Sequence, residues 1–226
     1  MGIMIAKLHF TFNDYKGWDQ KLFNIVKKNP NIAQHNYVKK HYFGWEFWNF
    51  SEKLDPNYYL GFLIQKPIPS KNNLIIFITY KLGGMLSQDA YIVGIYGNAE
   101  ILEHEIRPTK NYPLEEALAA NLYHLPPDVY KELLNIEFNV KADKSLSCLL
   151  PVKIKFDWKK YNLPLLKQAF LSRIDKNLAK VIIEDIKKCL LVKCRNNSVI
   201  AYIDPSVLYI LDAILENINK GFYQSS

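Results

Sequence analysis

Tyr91-Ile-Val-Gly-Ile-Tyr-Gly-Asn-Ala-Glu-Ile-Leu102 is the stretch on which the fold turns. It reads as a buried strand with glycines at 94 and 97, where packed side chains would be expected. Each glycine costs on the order of 0.5–1 kcal/mol against alanine, so a strand keeps one where a bulge, a barrel corner or a close backbone approach requires it. Upstream, Leu74 to Lys81 is a second strongly β-forming run, joined to the first through Gly83-Gly84. The two form an expected antiparallel hairpin with a longer loop. Still earlier, Gly44-Trp-Glu-Phe-Trp-Asn-Phe50 is the densest aromatic cluster in the chain.

Working outward, Ile3–Phe12 reads as a first strand that ends at Asn13-Asp14, good residues for a turn or a helix N-cap. Helical spacing predicts an amphipathic helix over Tyr15–Lys28, stopped at Asn29-Pro30, and a short one over His35–Tyr42. Tyr58–Ile64 is a strand. Beyond the central hairpin come short helices at Leu114–Leu122 and Asp128–Leu134, then strands at Ile136–Val140 and Cys148–Phe156. From Leu163 the pattern changes. Leu165–Leu191 reads as mostly helical, Ala201–Ile203 as a short strand, and Ser206–Lys220 as a last helix closed by Gly221. The expected organisation is α+β, with a first domain over 1–160 and a mainly helical extension or linker over 161–226.

The chain's 226 residues are 49% hydrophobic and 23% charged, enough apolar side chain for one sizeable core. No apolar run is long enough to span a membrane and the N-terminus lacks a signal-peptide pattern, so the cytoplasm is the expected location. Three cysteines without metal-ligand spacing read as reduced thiols. The net charge of +7 is uneven. Residues 151–226 carry 13 basic against 7 acidic side chains, whereas 101–150 carry 5 against 8. Basic flanks around an acidic middle fit a face that meets phosphate. The five histidines are scattered, and no nucleophile motif or phosphate-binding glycine loop is present, so neither an enzyme, a metal site nor a cofactor is expected. Glu184-Asp-Ile-Lys187 superficially matches part of a nuclease site but falls within a helix.

The order of parts resembles the PUA-like superfamily, particularly its YTH and EVE branches. Phe10-Thr-Phe-Asn13, then Phe47-Trp-Asn49, then Leu74–Thr79 and Gly94-Ile-Tyr96 stand where those readers carry a strand and asparagine, a Gly-x-Trp segment and two strands. The likeness covers roughly residues 3–160 and is nearest to the N-terminal DNA-recognition domain of archaeal McrB-type modification-dependent restriction proteins. It implies a compact β-barrel with flanking helices and an aromatic pocket that accepts a flipped, modified base from DNA or RNA; a methylated base in DNA is the leading expectation. It also implies an AAA+ GTPase domain and a nuclease subunit as partners supplied by other parts of such a system. An RNA reader and an ASCH-like nucleobase-directed hydrolase are the alternatives.

On this resemblance Trp48 is the first wall of the pocket, with Trp45, Phe47 and Phe50 beside it, unless they plug the barrel end. Asn13 matches the asparagine on the base edge, with Asp14 and Asn49 able to play the same part; an amide supplies both a donor and an acceptor. Asn98 is a further polar candidate or a bulge residue. Tyr112 and Tyr123 are the candidates for the second wall. Lys16, Lys39, Lys40, Lys110, Lys159 and Lys160 are the candidates for backbone phosphates.

Overall fold

A computed structural model describes residues 2–33, 35–82, 89–108, 110, 112–120, 125–166, 170–196 and 204–223. The expected strand at 201–203, the loop glycines at 83 and 84, and Tyr123 lie outside the described residues. The chain is mixed α+β. Seven strands are present among the described residues: β1 (Ile3–Leu8), β2 (Tyr58–Gly61), β3 (Ser70–Tyr80), β4 (Ala90–Ile106), β5 (Phe138–Asp143), β6 (Ser147–Phe156) and β7 (Leu171–Ile174). The helices are α1 (Gln20–Lys28), α2 (Asn36–His41), α3 (Tyr112–Ala120), α4 (Pro127–Leu134), α5 (Lys176–Asn196) and α6 (Pro205–Asn219).

β4 is the spine. One edge pairs antiparallel with β3; the other is shared, Ala90–Tyr96 with β6 and Glu100–Ile106 with β5. β1 joins β3 in parallel and β7 closes that side antiparallel, giving the order β2-β5-β4-β3-β1-β7 with β6 branching from β4. The sheet is open. The closed barrel that the resemblance implies is not formed, because β2 and β7 stand at opposite ends of this order and do not pair with each other.

Of a bulge, a barrel corner and a close approach, the two glycines of β4 serve the last. A Cβ on Gly94 would lie 2.3 Å from Cζ of Phe50 and 2.8 Å from the carbonyl oxygen of Cys148. One on Gly97 would lie 2.4 Å from the carbonyl oxygen of Leu146. Register slips at Ile92/Gly94 against β6 and again near Asn73 against β3, where Asn98 sits at φ 50°, so Asn98 is a bulge residue. The slip changes which residues face which side. Ile92 and Ile95 point to one core while Val93 and Tyr96 point to the other, an odd spacing that only an inserted residue permits.

One face of the sheet carries Ile3, Ile5, Leu74, Ile76 and Ile78 and is covered by α5 and α6 through Ile182, Ile186, Leu211 and Ile214. Residues on both sides of position 160 contribute to this cluster. The expected helix from Leu165 is also interrupted: Leu171–Ile174 extends along the edge of β1, and α5 begins only after Asp175, whose Oδ1 accepts the Leu178 N–H at 2.9 Å. Ladder pairing with β1 outweighs a helical preference that is small per residue. The opposite face meets Tyr15, Phe50 and Tyr59, and beyond them a third cluster packs α1, α3 and α4 around Phe43, Phe47 and Trp48.

α1 starts later than its spacing predicted, at Gln20, because the cap is Asp19 and not Asn13 or Asp14. The buried Asp19 carboxylate accepts from Leu22 N at 2.9 Å, Asn13 N at 3.1 Å, Thr11 Oγ1 at 2.6 Å and Phe12 N. Asp14 and Tyr15 take positive φ in the turn that this carboxylate holds.

Candidate base-sized pocket beside Trp45

β1 ends at Leu8, short of the expected Phe12, because the His9 N–H leaves the ladder and donates to Glu46 Oε1 at 3.0 Å. Glu46 belongs to the 3-10 turn Trp45–Trp48 and is 1% exposed. Its Oε1 also lies against His9 Nδ1. Burial pushes the Glu46 carboxyl up, but the His9 imidazole and the backbone N–H groups outweigh it and hold the carboxyl below its ordinary value.

This pair lies against an open-sided cavity of about 280 Å³ lined by His9, His35, Tyr37, Trp45, Glu46 and Phe62, among others. At about 30 Å³ per water the space equals roughly nine waters, near the lower end of small-molecule pockets. Its walls are held individually. The Trp45 and Phe62 rings meet at 5.0 Å between centroids. Trp45 Nε1 donates to the Tyr37 hydroxyl at 2.5 Å, and that hydroxyl donates to Glu132 Oε2 at 2.9 Å. Burial holds the Tyr37 phenol far above its ordinary range, so this proton stays in place. Phe62 is fixed from behind by Asn49, whose side chain accepts from Phe62 N at 2.8 Å and donates to Phe62 O at 3.2 Å.

His35 caps α2: its Nδ1 accepts the Tyr37 N–H at 3.2 Å. Burial and then the nearby His9 lower its pKa, so the ring is neutral at pH 7 with its proton on Nε2. The His9 and His35 rings lie 4.8 Å apart, and Phe170 stands edge-on to both. Lys7 reaches over Phe170 at 4.2 Å and donates to Leu166 O at 2.9 Å; burial lowers its pKa to about 8.

Of the aromatic candidates, Trp45 lines this cavity and Trp48 does not. Trp48 is fully buried, edge-on to Phe43, with Nε1 donating to Glu116 Oε2 at 2.9 Å. Phe50 lies under Gly94 in the sheet core, and Phe47 is likewise buried. Asn49 supports Phe62 and is itself buried. Asn13 is exposed in its turn, donating to Trp18 O at 3.0 Å, and Asp14 pairs with Lys153 at 3.0 Å. Tyr112 packs beside the Trp48 cluster with Lys110 over its ring at 5.7 Å.

The lysines divide too. Lys39 and Lys40 are exposed on α2, whose other residues include Tyr37, and Lys39 bonds Asn31 Oδ1 at 2.8 Å. Lys160 pairs with Asp185 at 2.5 Å, which places that nuclease-like aspartate in an ion pair on α5. Lys159 lines a separate shallow site near Trp158. Lys16 lines a groove of about 950 Å³ between β6 and α6, which no buried, unpartnered side-chain atom among the described residues lines.

The cavity-lining residues that sequence reasoning does not single out are His9, His35, Tyr37, Glu46 and Phe62. One signal for Glu46 was present: it is the only acid between Asp19 and Glu52, and it sits inside an aromatic cluster. Among the described residues no group of three or more His, Cys, Asp or Glu side chains could hold a metal, and no helix is long and apolar enough to cross a membrane. No family model, curated protein or solved structure matches the chain significantly.

Proposed function

We propose that this chain is a nucleic-acid-binding module that takes one flipped, methylated base into the cavity beside Trp45. It would act as a PUA-like reader of DNA within a modification-dependent restriction system in the cytoplasm, with the motor and nuclease functions supplied by other components. The observation that supports it is the cavity: aromatic walls at Trp45, Tyr37 and Phe62 with a buried Glu46–His9 pair among them. Extruding a base costs a few kcal/mol, and stacking on an aromatic face returns about 1–3 kcal/mol. A methyl group adds apolar surface, which such walls detect by excluding water. Lys39 and Lys40, on the helix that supplies Tyr37, would take flanking phosphates.

The test is binding of matched strands, plain, N6-methyladenine-containing and 5-methylcytosine-containing, as DNA and as RNA. A modified strand should bind more tightly than its plain counterpart, and Trp45→Ala should erase that difference. Equal binding of modified and plain strands by the intact protein would reject the reader. Preference confined to the RNA strands would move the target from DNA to RNA.

A second reading is favoured by the His9–Glu46 pair. A carboxylate behind an imidazole is general acid–base machinery, and on this scaffold it suits a nucleobase-directed hydrolase. Turnover of a modified nucleoside that Glu46→Gln abolishes would select it over the binding module.

A further inference from the structure

The geometry points to a second ligand site, outside the Trp45 pocket: the cavity beside Trp158 takes a phosphate ester. After β6 the chain turns sharply through Asp157–Asn162. The Asp157 carboxylate accepts the N–H groups of Lys159 and Lys160 at 3.1 Å each, Leu163 N donates to Trp158 O at 3.0 Å, and Asn162 takes the left-handed conformation at φ 51°. The turn sends its polar side chains two ways. Those that reach α5 are satisfied there: the Tyr161 hydroxyl donates to Asp185 Oδ2 at 2.9 Å, and the Lys160 ammonium pairs with the same carboxylate. Trp158, Lys159 and Asn162 instead line a cavity of about 450 Å³, together with Leu163, Pro164 and Leu165. None of these three polar side chains has a hydrogen-bond or ion-pair partner among the described residues.

Trp158 is the decisive member. It is 6% exposed, stacked on Tyr80 at 6.4 Å between centroids and edge-on to Phe156 at 4.7 Å, so packing fixes its ring while Nε1 stays unpaired. A buried indole N–H ordinarily finds an acceptor. It can only donate, as can the Lys159 ammonium, and the Asn162 amide adds two more N–H groups. No carboxylate lines the cavity among the described residues. A lining rich in donors, one of them charged, is the complement of an oxyanion. A tetrahedral phosphate, whose oxygens point in several directions, uses donors from three residues better than a planar carboxylate does. Leu163, Pro164 and Leu165 cover the carbons that an ester brings with it. At about 30 Å³ per water the space equals roughly fifteen waters, room for a sugar phosphate. The backbone of a strand and a free sugar phosphate present this same chemistry.

The experiment follows the indole N–H signals of the four tryptophans in the nitrogen-15-labelled chain, Trp158 being recognised by its NOEs to Tyr80 and Phe156. Ribose 5-phosphate, a short oligothymidylate and acetate are titrated separately at constant ionic strength. A phosphate ester should move the Trp158 signal downfield in a saturable way. Lys159→Ala and Asn162→Gly should each weaken that binding about 2- to 5-fold. Both residues are exposed and glycine accepts the left-handed turn, so neither variant threatens the fold. A response to ribose 5-phosphate identifies a free sugar phosphate as a sufficient ligand, and a response to oligothymidylate alone identifies the strand backbone. A Trp158 signal that neither ester moves, an equal response to acetate, or undiminished binding by both variants overturns the site. Ribose 5-phosphate carries no base, so this outcome is separate from that of the base reader.

Discussion

Trp45 and Trp48 are three residues apart, and the structure assigns them opposite consequences when each is truncated. Trp48 has no exposed surface, packs edge-on to Phe43 at 5.8 Å and bonds Glu116 through its indole N–H. Removing such a ring from a core costs about 3–5 kcal/mol. The lost hydrogen bond adds little, because Glu116 keeps Lys53 at 2.8 Å. Against a total stability of about 5–15 kcal/mol, Trp48→Ala takes a large share of the margin. At roughly 2–4 °C per kcal/mol for a chain of this size, the melting temperature should fall by about 6–20 °C. The folded fraction should nevertheless bind modified strands as the parent does. Trp45 is only half-buried and faces the cavity, so Trp45→Ala should shift melting by no more than a few degrees and remove the preference for a modified base. Thermal unfolding followed by circular dichroism, with strand titration well below each midpoint, reads both quantities on the same samples. A Trp48→Ala protein that melts within about 2 °C of the parent yet has lost base preference would refute the assignment.

Three further outcomes are expected. Glu46→Gln should cost about 1.5–3 kcal/mol near neutral pH and also flatten the acid limb of stability. The folded Glu46 carboxyl is held below its ordinary value, so its contribution is complete above the unfolded value, about 4.3, and is lost as pH falls through the folded one; urea titrations at a series of acid pH values read the difference between parent and variant. Gly94→Ala should destabilise by about 1–3 kcal/mol, because the new methyl meets the Phe50 ring and the Cys148 carbonyl, and Phe50→Leu in the same chain should recover part of the loss in a urea melt. The Lys39→Ala, Lys40→Ala double variant should weaken modified and plain strands alike and reduce the salt slope of single-strand binding by roughly 1.4, a base-specific loss being the contrary result.

The sheet was largely readable because its signals are local. β-branched runs mark β3 and β4, and the two glycines of β4 announced close approaches that Phe50 and Leu146 now occupy. What escaped depends on partners distant in the chain. Whether the sheet closes is decided by its end strands, and β7 reads as helix because four residues carry too little periodicity to oppose their helical surroundings. The pocket escaped for the same reason: His9 and Glu46 are 37 residues apart, and only the folded turn after β1 brings the His9 N–H to that carboxylate. Residue order, which singles out Trp48, says nothing of which indole faces a cavity and which faces Phe43.

The Glu46–His9 pair itself argues for a role beyond folding. Desolvating a carboxylate costs several kcal/mol before any attraction is recovered, and buried ion pairs replaced by well-packed apolar residues often leave a protein as stable or more so. Here the surroundings would suit such a replacement, since Trp45, Phe62 and Phe170 already border the site. The chain instead holds an anion at 1% exposure, and His9 Nε2 has no hydrogen-bond partner among the described residues. Asp19 is the useful contrast. It is a buried carboxylate too, yet four donors surround it, as expected of a structural cap. On the proposed reading, a flat base between the aromatic walls would lie beside this pair.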